Sequence, residues 1–164
     1  SSAASDVYKR QYLDWEEVQA ALQTLQRNFP EKANRYYPFP YLHEEMGAAL
    51  AAADLAVSRA GASTLGEFPY FGLPAVLVPY PYAWKYQLVN AQYLEQNGAA
   101  LIVEDKDLPQ KLPALLKSLL NDKSRLEKMR QAMLSLAISG AAEIIANAIN
   151  DLAGQGQRKG MIDG

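Results

Sequence analysis

Three short apolar runs in the middle of the chain constrain the fold more than any other feature of the sequence. They cover residues 54–58, 74–80 and 99–104, and segments of helical pattern separate them. Apolar runs of this length are typical of strands that are buried on both faces, as in parallel sheets. Right-handed crossovers between such strands place the strand-to-helix loops along one sheet edge, where ligands bind. The sequence therefore predicts an α/β fold in which helices cover both faces of a parallel sheet.

Helices are predicted where apolar residues recur at helical spacing. The first stripe begins at Trp15, with Asp14 as its expected N-cap. Residues 43–53, 63–72 and 86–98 are predicted as further helices, and the C-terminal third is predicted to be helical. The apolar stripes of the first helix and of the C-terminal third are Trp15, Val18, Leu22 and Leu25; Leu108, Leu112, Leu115, Leu116, Leu119 and Leu120; Leu126, Met129, Met133 and Leu136; and Ile144, Ile145, Ala148, Ile149 and Leu152.

A break and an aromatic segment follow the first helix, between residues 28 and 40. Pro38 and Pro40 interrupt this segment, and proline cannot donate a hydrogen bond to a strand ladder. The segment is therefore predicted to be a short strand or an extended loop.

The two ends of the chain are predicted to lie outside the fold. Residues 1–11, SSAASDVYKRQ, resemble the translation of a transposase adaptor used to prepare sequencing libraries, and a natural disordered leader is the alternative. On the adaptor interpretation, the natural sequence begins near Tyr12, within a longer protein. Residues 12–153 are predicted to form the domain, and the polar segment 154–164 is predicted to be a flexible tail.

Composition and charge exclude several classes of protein and of site. The 164 residues suffice for one domain with a core, and the net charge of −2 gives no reason to expect nucleic acid as a partner. The sequence has no cysteine and one histidine, which excludes disulfides, thiolate metal sites and multi-histidine metal sites. Every apolar run is shorter than the roughly 18 residues that span a bilayer. We expect no metal and no cofactor.

The loop VSRAGASTLGE, residues 57–67, is the candidate binding feature. Gly61 permits a tight turn after the strand, and a helix is expected to begin at Ser63 or Thr64. The first N–H groups of a helix lack intrahelical partners and carry positive partial charge, which suits a phosphate group. Arg59 would add a cation, and the Glu67 carboxylate would accept two hydrogen bonds from a ribose diol.

A purely structural interpretation of the same loop is the alternative. Thr64 and Glu67 have the spacing of a capping box, in which each side chain bonds to the backbone N–H of the other. Arg59 would then form a structural ion pair.

Four motifs, in this order, carry a resemblance to a known family. They are SRAGAST followed by a glutamate, GLPAVLVP, YQ followed by NA and a leucine, and GAA. The chain from about Tyr41 to Leu152 resembles the Rossmann-like nucleotide-sugar domain of GT-B glycosyltransferases and, more narrowly, the N-acetylglucosaminyltransferase family of peptidoglycan synthesis. The resemblance implies the C-terminal, donor-binding half of an enzyme that moves N-acetylglucosamine from UDP-GlcNAc to lipid I and so makes lipid II.

The resemblance also implies a set of contacts to UDP-GlcNAc and identifies no catalytic residue in this chain. The implied contacts are Leu42 and His43 at the uracil, Arg59, Ala62, Ser63 and Thr64 at the diphosphate loop, Glu67 at the ribose hydroxyls, and Gln87 and Asn90 at the sugar. This chain departs from the family at Tyr86, where a polar residue is usual. Tyr86 would either stack on the sugar or point into the core.

Three further features carry alternatives of their own. His43 begins a predicted helix, which favours a cap or surface position over catalysis. The triplet at residues 105–107, DKD, matches the metal-binding DxD of other glycosyltransferases, but its place between a strand and a helix favours a helix cap. The segment 79–84, PYPYAW, would either border the donor pocket or form a rigid packed loop.

Partners and location follow from the resemblance. It implies UDP-GlcNAc as donor, lipid I as acceptor through an N-terminal domain upstream of Tyr12, and no nucleic acid. The full-length enzyme would associate peripherally with the cytoplasmic face of the plasma membrane, and the donor-binding half would be inactive alone. Another GT-B UDP-sugar enzyme, either a transferase or a UDP-GlcNAc 2-epimerase, and a non-catalytic domain of the same fold are the alternatives.

Overall fold

The computed structural model describes residues 2–82 and 85–160, with side chains for residues 14–82 and 85–153. The chain divides into two compact units, Ser1–Ala49 and Leu50–Gly164. Each unit is considered by itself below.

The first unit consists mainly of helix α1, Ser2–Asn28, and the short helix α2, Pro30–Ala33. The predicted stripe of α1 is confirmed, because Trp15, Val18, Leu22 and Leu25 are half-buried and the other described side chains of the helix are exposed. The predicted N-cap at Asp14 is wrong, since α1 already begins at Ser2. Neither glycine nor proline interrupts residues 2–28, so the helix extends on the N-terminal side of Asp14.

The N-terminal leader is part of this helix as far as its backbone is described. The side chains of residues 1–13 lie outside the described residues. The prediction that residues 1–11 contribute nothing to the core therefore stays a prediction.

The aromatic segment after α2 is an extended loop. Residues 36–42 belong to neither a helix nor a strand. Of the two predicted alternatives the loop is confirmed, which agrees with the loss of two backbone donors at Pro38 and Pro40. Helix α3, Met46–Ala52, follows after a turn.

The second unit is built on a parallel three-stranded sheet, as predicted. Strands β1, Ala56–Ser58, β2, Ala75–Leu77, and β3, Ala100–Ile102, lie in the order β1-β2-β3. Ala56 pairs with Ala75, and Ala75 pairs with Ala100. The central strand β2 is buried along its whole length.

Helices cover both faces of this sheet. The α-helices after the 59–63 loop are α4, Thr64–Phe71; α5, Tyr86–Gln96; α6, Leu108–Asn121; α7, Lys123–Ser135; and α8, Ala141–Gly160. A short 3₁₀ helix, Asp105–Asp107, directly precedes α6. Ala75 and Leu77 pack in one core cluster with side chains of α4 and α5, whereas Val76 packs in a second cluster with Leu119 of α6. Helix α7 contributes to both clusters, through Met133 to the first and through Met129 to the second.

The three C-terminal helices were predicted, but their apolar stripes differ in burial. The stripe of α6 packs mainly on the second core cluster, whereas the stripe of α7 divides between the two clusters. In α8 the large apolar side chains are exposed, and they are Ile144, Ile145, Ile149 and Leu152. The helical backbone of α8 continues to Gly160, into the segment predicted as a tail. The side chains of residues 154–164 lie outside the described residues, so the predicted flexibility of that segment stays a prediction.

Candidate functional site

The loops that follow the three strands lie along the carboxyl edge of the sheet. They begin at Arg59 after β1, at Val78 after β2 and at Val103 after β3. Because all neighbouring strands are parallel, these loops lie at the same edge, as the sequence predicts for the binding loop.

The loop after β1 presents a short stretch of backbone to solvent. Ala60 is fully buried, whereas Ala62 and Ser63 are exposed. The N–H groups of Ala62 and Ser63 donate to no acceptor among the residues that the structure describes. These donors stand immediately before α4, where the helix adds positive partial charge. The arrangement can accept an anionic group.

The capping-box interpretation of Thr64 and Glu67 is wrong. Thr64 is buried, and its hydroxyl donates to the Arg59 carbonyl oxygen at 3.3 Å. The residue before the helix is Ser63, whose backbone is already helical and whose side chain makes no cap hydrogen bond. The helical turn therefore starts one residue earlier than a cap at Thr64 requires. Glu67 is exposed, and its carboxylate has no hydrogen bond within the described part of the chain.

Arg59 forms a structural ion pair, as the alternative interpretation predicted. Its Nη1 atom lies 2.5 Å from Oδ1 of Asp105 and donates to the Val78 carbonyl oxygen at 3.2 Å. The guanidinium carbon lies 5.3 Å from the centroid of the Tyr80 ring. Arg59 thus connects the ends of all three strands. Sequence reasoning missed this role of Asp105, although an acid directly after a strand of the same sheet was the available signal.

Gln87 and Asn90 tie α5 to two of the loops. The Asn90 side-chain amide donates to the Ala60 carbonyl oxygen at 3.0 Å. Gln87 accepts a hydrogen bond from the Tyr80 N–H at 2.8 Å through its Oε1 atom. The Nε2 group of Gln87 has no hydrogen bond to the described residues, so it is available to a ligand.

Leu42 and His43 belong to the first unit, whereas the other implied contact residues belong to the second. Leu42 is half-buried, and His43 is exposed. The His43 ring centroid lies 4.4 Å from that of Tyr41, and the His43 carbonyl oxygen accepts a hydrogen bond from the Met46 N–H at 3.3 Å. The predicted surface position of His43 is confirmed. The predicted helix start at His43 is wrong, because residues 43–45 form a turn and α3 begins at Met46.

A cavity of about 490 Å³ opens beyond the ends of β2 and β3. Its lining consists of Pro79, Tyr80, Pro81, Tyr82, Lys85, Leu88, Ile102, Glu104, Asp105 and Lys106. The segment 79–82 therefore borders a pocket, while Ala83 and Trp84 lie outside the described residues. Tyr86 is 75% exposed, so the alternative that it points into the core is wrong.

The charged residues after β3 are paired with one another or with Arg59. Lys106 lies 2.6 Å from Glu104, whose hydrogen bond raises the pKa of Lys106. Lys111 lies 2.7 Å from Asp107, and this hydrogen bond lowers the pKa of Asp107. Asp107 occupies the N-cap position of α6, as predicted for this triplet. Its side chain makes no cap hydrogen bond, however, and accepts one from Lys111 instead.

The described residues contain neither a candidate metal cluster nor a candidate membrane span. Among them, no group of three or more histidine, cysteine, aspartate and glutamate side chains is placed to hold a metal ion. No helix within the same part of the chain is long and apolar enough to cross a membrane.

The chain was compared with known proteins. The model of the glycosyltransferase family 28 C-terminal domain matches residues 7–148. A UDP-N-acetylglucosamine--N-acetylmuramyl-(pentapeptide) pyrophosphoryl-undecaprenol N-acetylglucosamine transferase from Desulforudis audaxviator is 45% identical over 121 residues, which cover 73% of this chain and 32% of the relative. The protein of the same name from Chlorobium phaeobacteroides is 36% identical over 156 residues, which cover 93% of this chain and 40% of the relative.

A solved structure gives the same result. The crystal structure of MurG from Acinetobacter baumannii matches with a TM-score of 0.63 and 31% sequence identity, over 69% of this chain and 34% of that chain. The chain spans about a third of the length of the Desulforudis audaxviator relative and of the protein in this crystal structure. Because the family model matches most of the sequence, the chain belongs to the glycosyltransferase family 28 C-terminal domain family.

Proposed function

We propose that this chain is the donor-binding part of a glycosyltransferase that moves N-acetylglucosamine from UDP-GlcNAc to lipid I and so forms lipid II of peptidoglycan biosynthesis. The names of the relatives support the donor and the acceptor. The observation that carries the proposal is the loop before α4, where Ala62 and Ser63 are exposed and their N–H groups donate to none of the described residues. Glu67, one helical turn further on, is exposed as well.

The diphosphate of UDP is the group that fits this loop. Its oxygens would accept hydrogen bonds from the N–H groups of Ala62 and Ser63, and the positive end of α4 would favour its charge. Thr64 would support the loop, because its hydroxyl donates to the Arg59 carbonyl oxygen and its N–H donates to the Gly61 carbonyl oxygen. Arg59 supports the loop, since its charge is paired with Asp105.

Residues of α4 and α5 would supply the next donor contacts. The Glu67 carboxylate would accept hydrogen bonds from the two ribose hydroxyls. The Nε2 group of Gln87 would donate to the sugar, while its Oε1 atom keeps the Tyr80 N–H. Asn90 would act by holding Ala60 in place. The uracil contact at the backbone of Leu42 and His43 rests on the resemblance.

The chemistry proposed for these groups is stabilisation of a leaving group. The acceptor hydroxyl attacks the anomeric carbon of N-acetylglucosamine, and the bond from that carbon to the diphosphate breaks. Negative charge then grows on UDP, which fixed N–H donors stabilise. A base must take the proton from the acceptor hydroxyl, and we assign that base to none of the described residues. We propose that the base and the surface for lipid I belong to the part of the relatives that this chain does not span.

Location follows from the acceptor. Lipid I carries its undecaprenyl chain in the membrane, so the full-length enzyme would work at the cytoplasmic face of the plasma membrane. This donor-binding part would have no transfer activity by itself.

Calorimetric titration of the purified chain with UDP and with uridine tests the proposal. UDP should bind with a Kd on the order of 0.1–1 mM, which corresponds to about 4–5.5 kcal/mol. Uridine should bind more weakly than UDP, because it lacks the diphosphate. Equal affinity for the two ligands, or no binding of UDP at millimolar concentration, would contradict a diphosphate site in the 59–64 loop.

A further inference from the structure

Arg59 uses one nitrogen atom to contact the ends of two neighbouring strands. Nη1 faces Oδ1 of Asp105 beyond β3 at 2.5 Å and the Val78 carbonyl oxygen beyond β2 at 3.2 Å. The Tyr80 ring lies beside the guanidinium group. The side chains of Arg59 and Asp105 are 46% and 39% exposed, so the pair is partly shielded from water. Two opposite charges that are partly shielded from water attract each other more strongly than two fully solvated charges.

The main chain of Arg59 is fixed as well. Its carbonyl oxygen accepts hydrogen bonds from the hydroxyls of Ser58 at 2.9 Å and of Thr64 at 3.3 Å. The next carbonyl oxygen, of Ala60, accepts a hydrogen bond from the Asn90 side chain. Arg59 therefore connects the strand ends to the loop of residues 60–64, in which Ala62 and Ser63 are exposed. It is held through both its side chain and its carbonyl group.

We propose that Asp105 is a positioning residue for the diphosphate loop. Its carboxylate holds the guanidinium group of Arg59 across the strand ends, and this orients the N–H groups of Ala62 and Ser63 before a ligand arrives. The inference rests on the proposed function, because it assigns a geometry to the same binding loop. Preorganised donors bind an anion more tightly, because less ordering accompanies binding.

The direction in which Asp105→Asn changes UDP affinity distinguishes a positioning role of Asp105 from the simplest alternative, in which Arg59 contacts the diphosphate directly. If Arg59 served as a direct cation for the diphosphate, Asp105 would compete with the ligand. The change Asp105→Asn would then free the guanidinium charge and strengthen UDP binding. If Asp105 positions Arg59, the same change loosens the loop and weakens UDP binding.

Titration of the full chain and its variants with UDP and uridine measures whether UDP affinity falls or rises. Asp105→Asn should weaken UDP binding about threefold to tenfold, because a residue without direct ligand contact changes affinity modestly, and should leave uridine affinity unchanged. Asp107→Asn is the matched control, because Asp107 lies two residues further on and pairs with Lys111. It should change neither affinity. UDP affinity of Asp105→Asn that equals or exceeds the wild-type value would overturn the inference.

Amide hydrogen exchange of the unliganded chain gives a second measurement that needs no nucleotide. The Thr64 and Leu65 N–H groups donate to the carbonyl oxygens of Gly61 and Ala62 within the loop. Their exchange should be faster in Asp105→Asn than in the wild type and unchanged in Asp107→Asn. Equal rates in all three proteins would overturn the inference. Absence of UDP binding by the wild type would instead overturn the proposed function, and the exchange rates would still decide whether Asp105 orders the loop.

Discussion

At the scale of single residues, the first turn of α4 divides its side chains between the core and solvent. Thr64 is buried and bonded to the Arg59 carbonyl oxygen, whereas Glu67 is exposed. Their sequence spacing fits a capping box, but spacing alone does not determine the residue at which the helical backbone begins. Since Glu67 has no capping role, its carboxylate is available for a ligand.

Replacing Glu67 by alanine should weaken UDP binding by about tenfold or more. Hydrogen bonds to a charged acceptor are worth about 1.5–3 kcal/mol, and 1.4 kcal/mol is a tenfold change in affinity. The free energy of unfolding should change by less than about 0.5 kcal/mol, because Glu67 is exposed and caps no helix. NMR titration with UDP and urea unfolding measure the two quantities. The exposed acid Glu17 on α1 supplies the control variant Glu17→Ala, and wild-type UDP affinity in Glu67→Ala would rule out the ribose contact.

Two glycines at α4 should respond to alanine in opposite directions. Gly72 ends the helix with φ of 58°, and an added Cβ would lie 2.7 Å from Cγ of Leu134. The left-handed backbone and the overlap together should lower the free energy of unfolding by about 2–4 kcal/mol. Gly66 lies inside the helix with nothing within 4 Å of an added Cβ. Gly66→Ala should therefore raise the free energy of unfolding by up to about 1 kcal/mol. Urea unfolding compares them, and a smaller loss for Gly72→Ala than for Gly66→Ala would contradict the description of this helix end.

At the scale of elements, the strands and the connecting helices could be predicted because their patterns are local. Each of the three predicted apolar runs contains one strand of the sheet. The register of the strands and the burial of individual side chains depend on neighbouring elements, so they could not be predicted in the same way. The apolar stripe of α6 includes Leu119 and Leu120 alike, yet Leu119 is fully buried and Leu120 is 56% exposed.

This pair of leucines supplies a test of the second core cluster. Leu119→Ala should lower the free energy of unfolding by about 2–5 kcal/mol, because it removes methyl groups from a close-packed site. Leu120→Ala should cost less than about 1 kcal/mol, because that side chain remains largely in water. The two variants have the same chemistry on the same helix. Urea unfolding that gives both the same cost would show that α6 packs on the sheet with a different face.

At the scale of the whole molecule, the parallel sheet and the edge at which its loops lie were predicted, but the contacts across that edge were not. Arg59 and Asp105 are far apart in sequence, and their pairing depends on the positions of all three strands. Helical periodicity likewise predicted α8 but gave no indication that its isoleucines are exposed. Local patterns determine which elements form, whereas contacts between elements depend on the tertiary arrangement.

The central claim is that the loop before α4 binds the diphosphate of UDP. Titration of the ¹⁵N-labelled chain with UDP, followed by amide chemical shifts, tests it most directly. We predict the largest shift changes at Ala62, Ser63, Thr64 and Glu67, with a smaller response to uridine at Ala62, Ser63 and Thr64, because uridine lacks the diphosphate. Unchanged shifts at these four amides, or changes confined to the cavity at Tyr82 and Lys106, would contradict the claim.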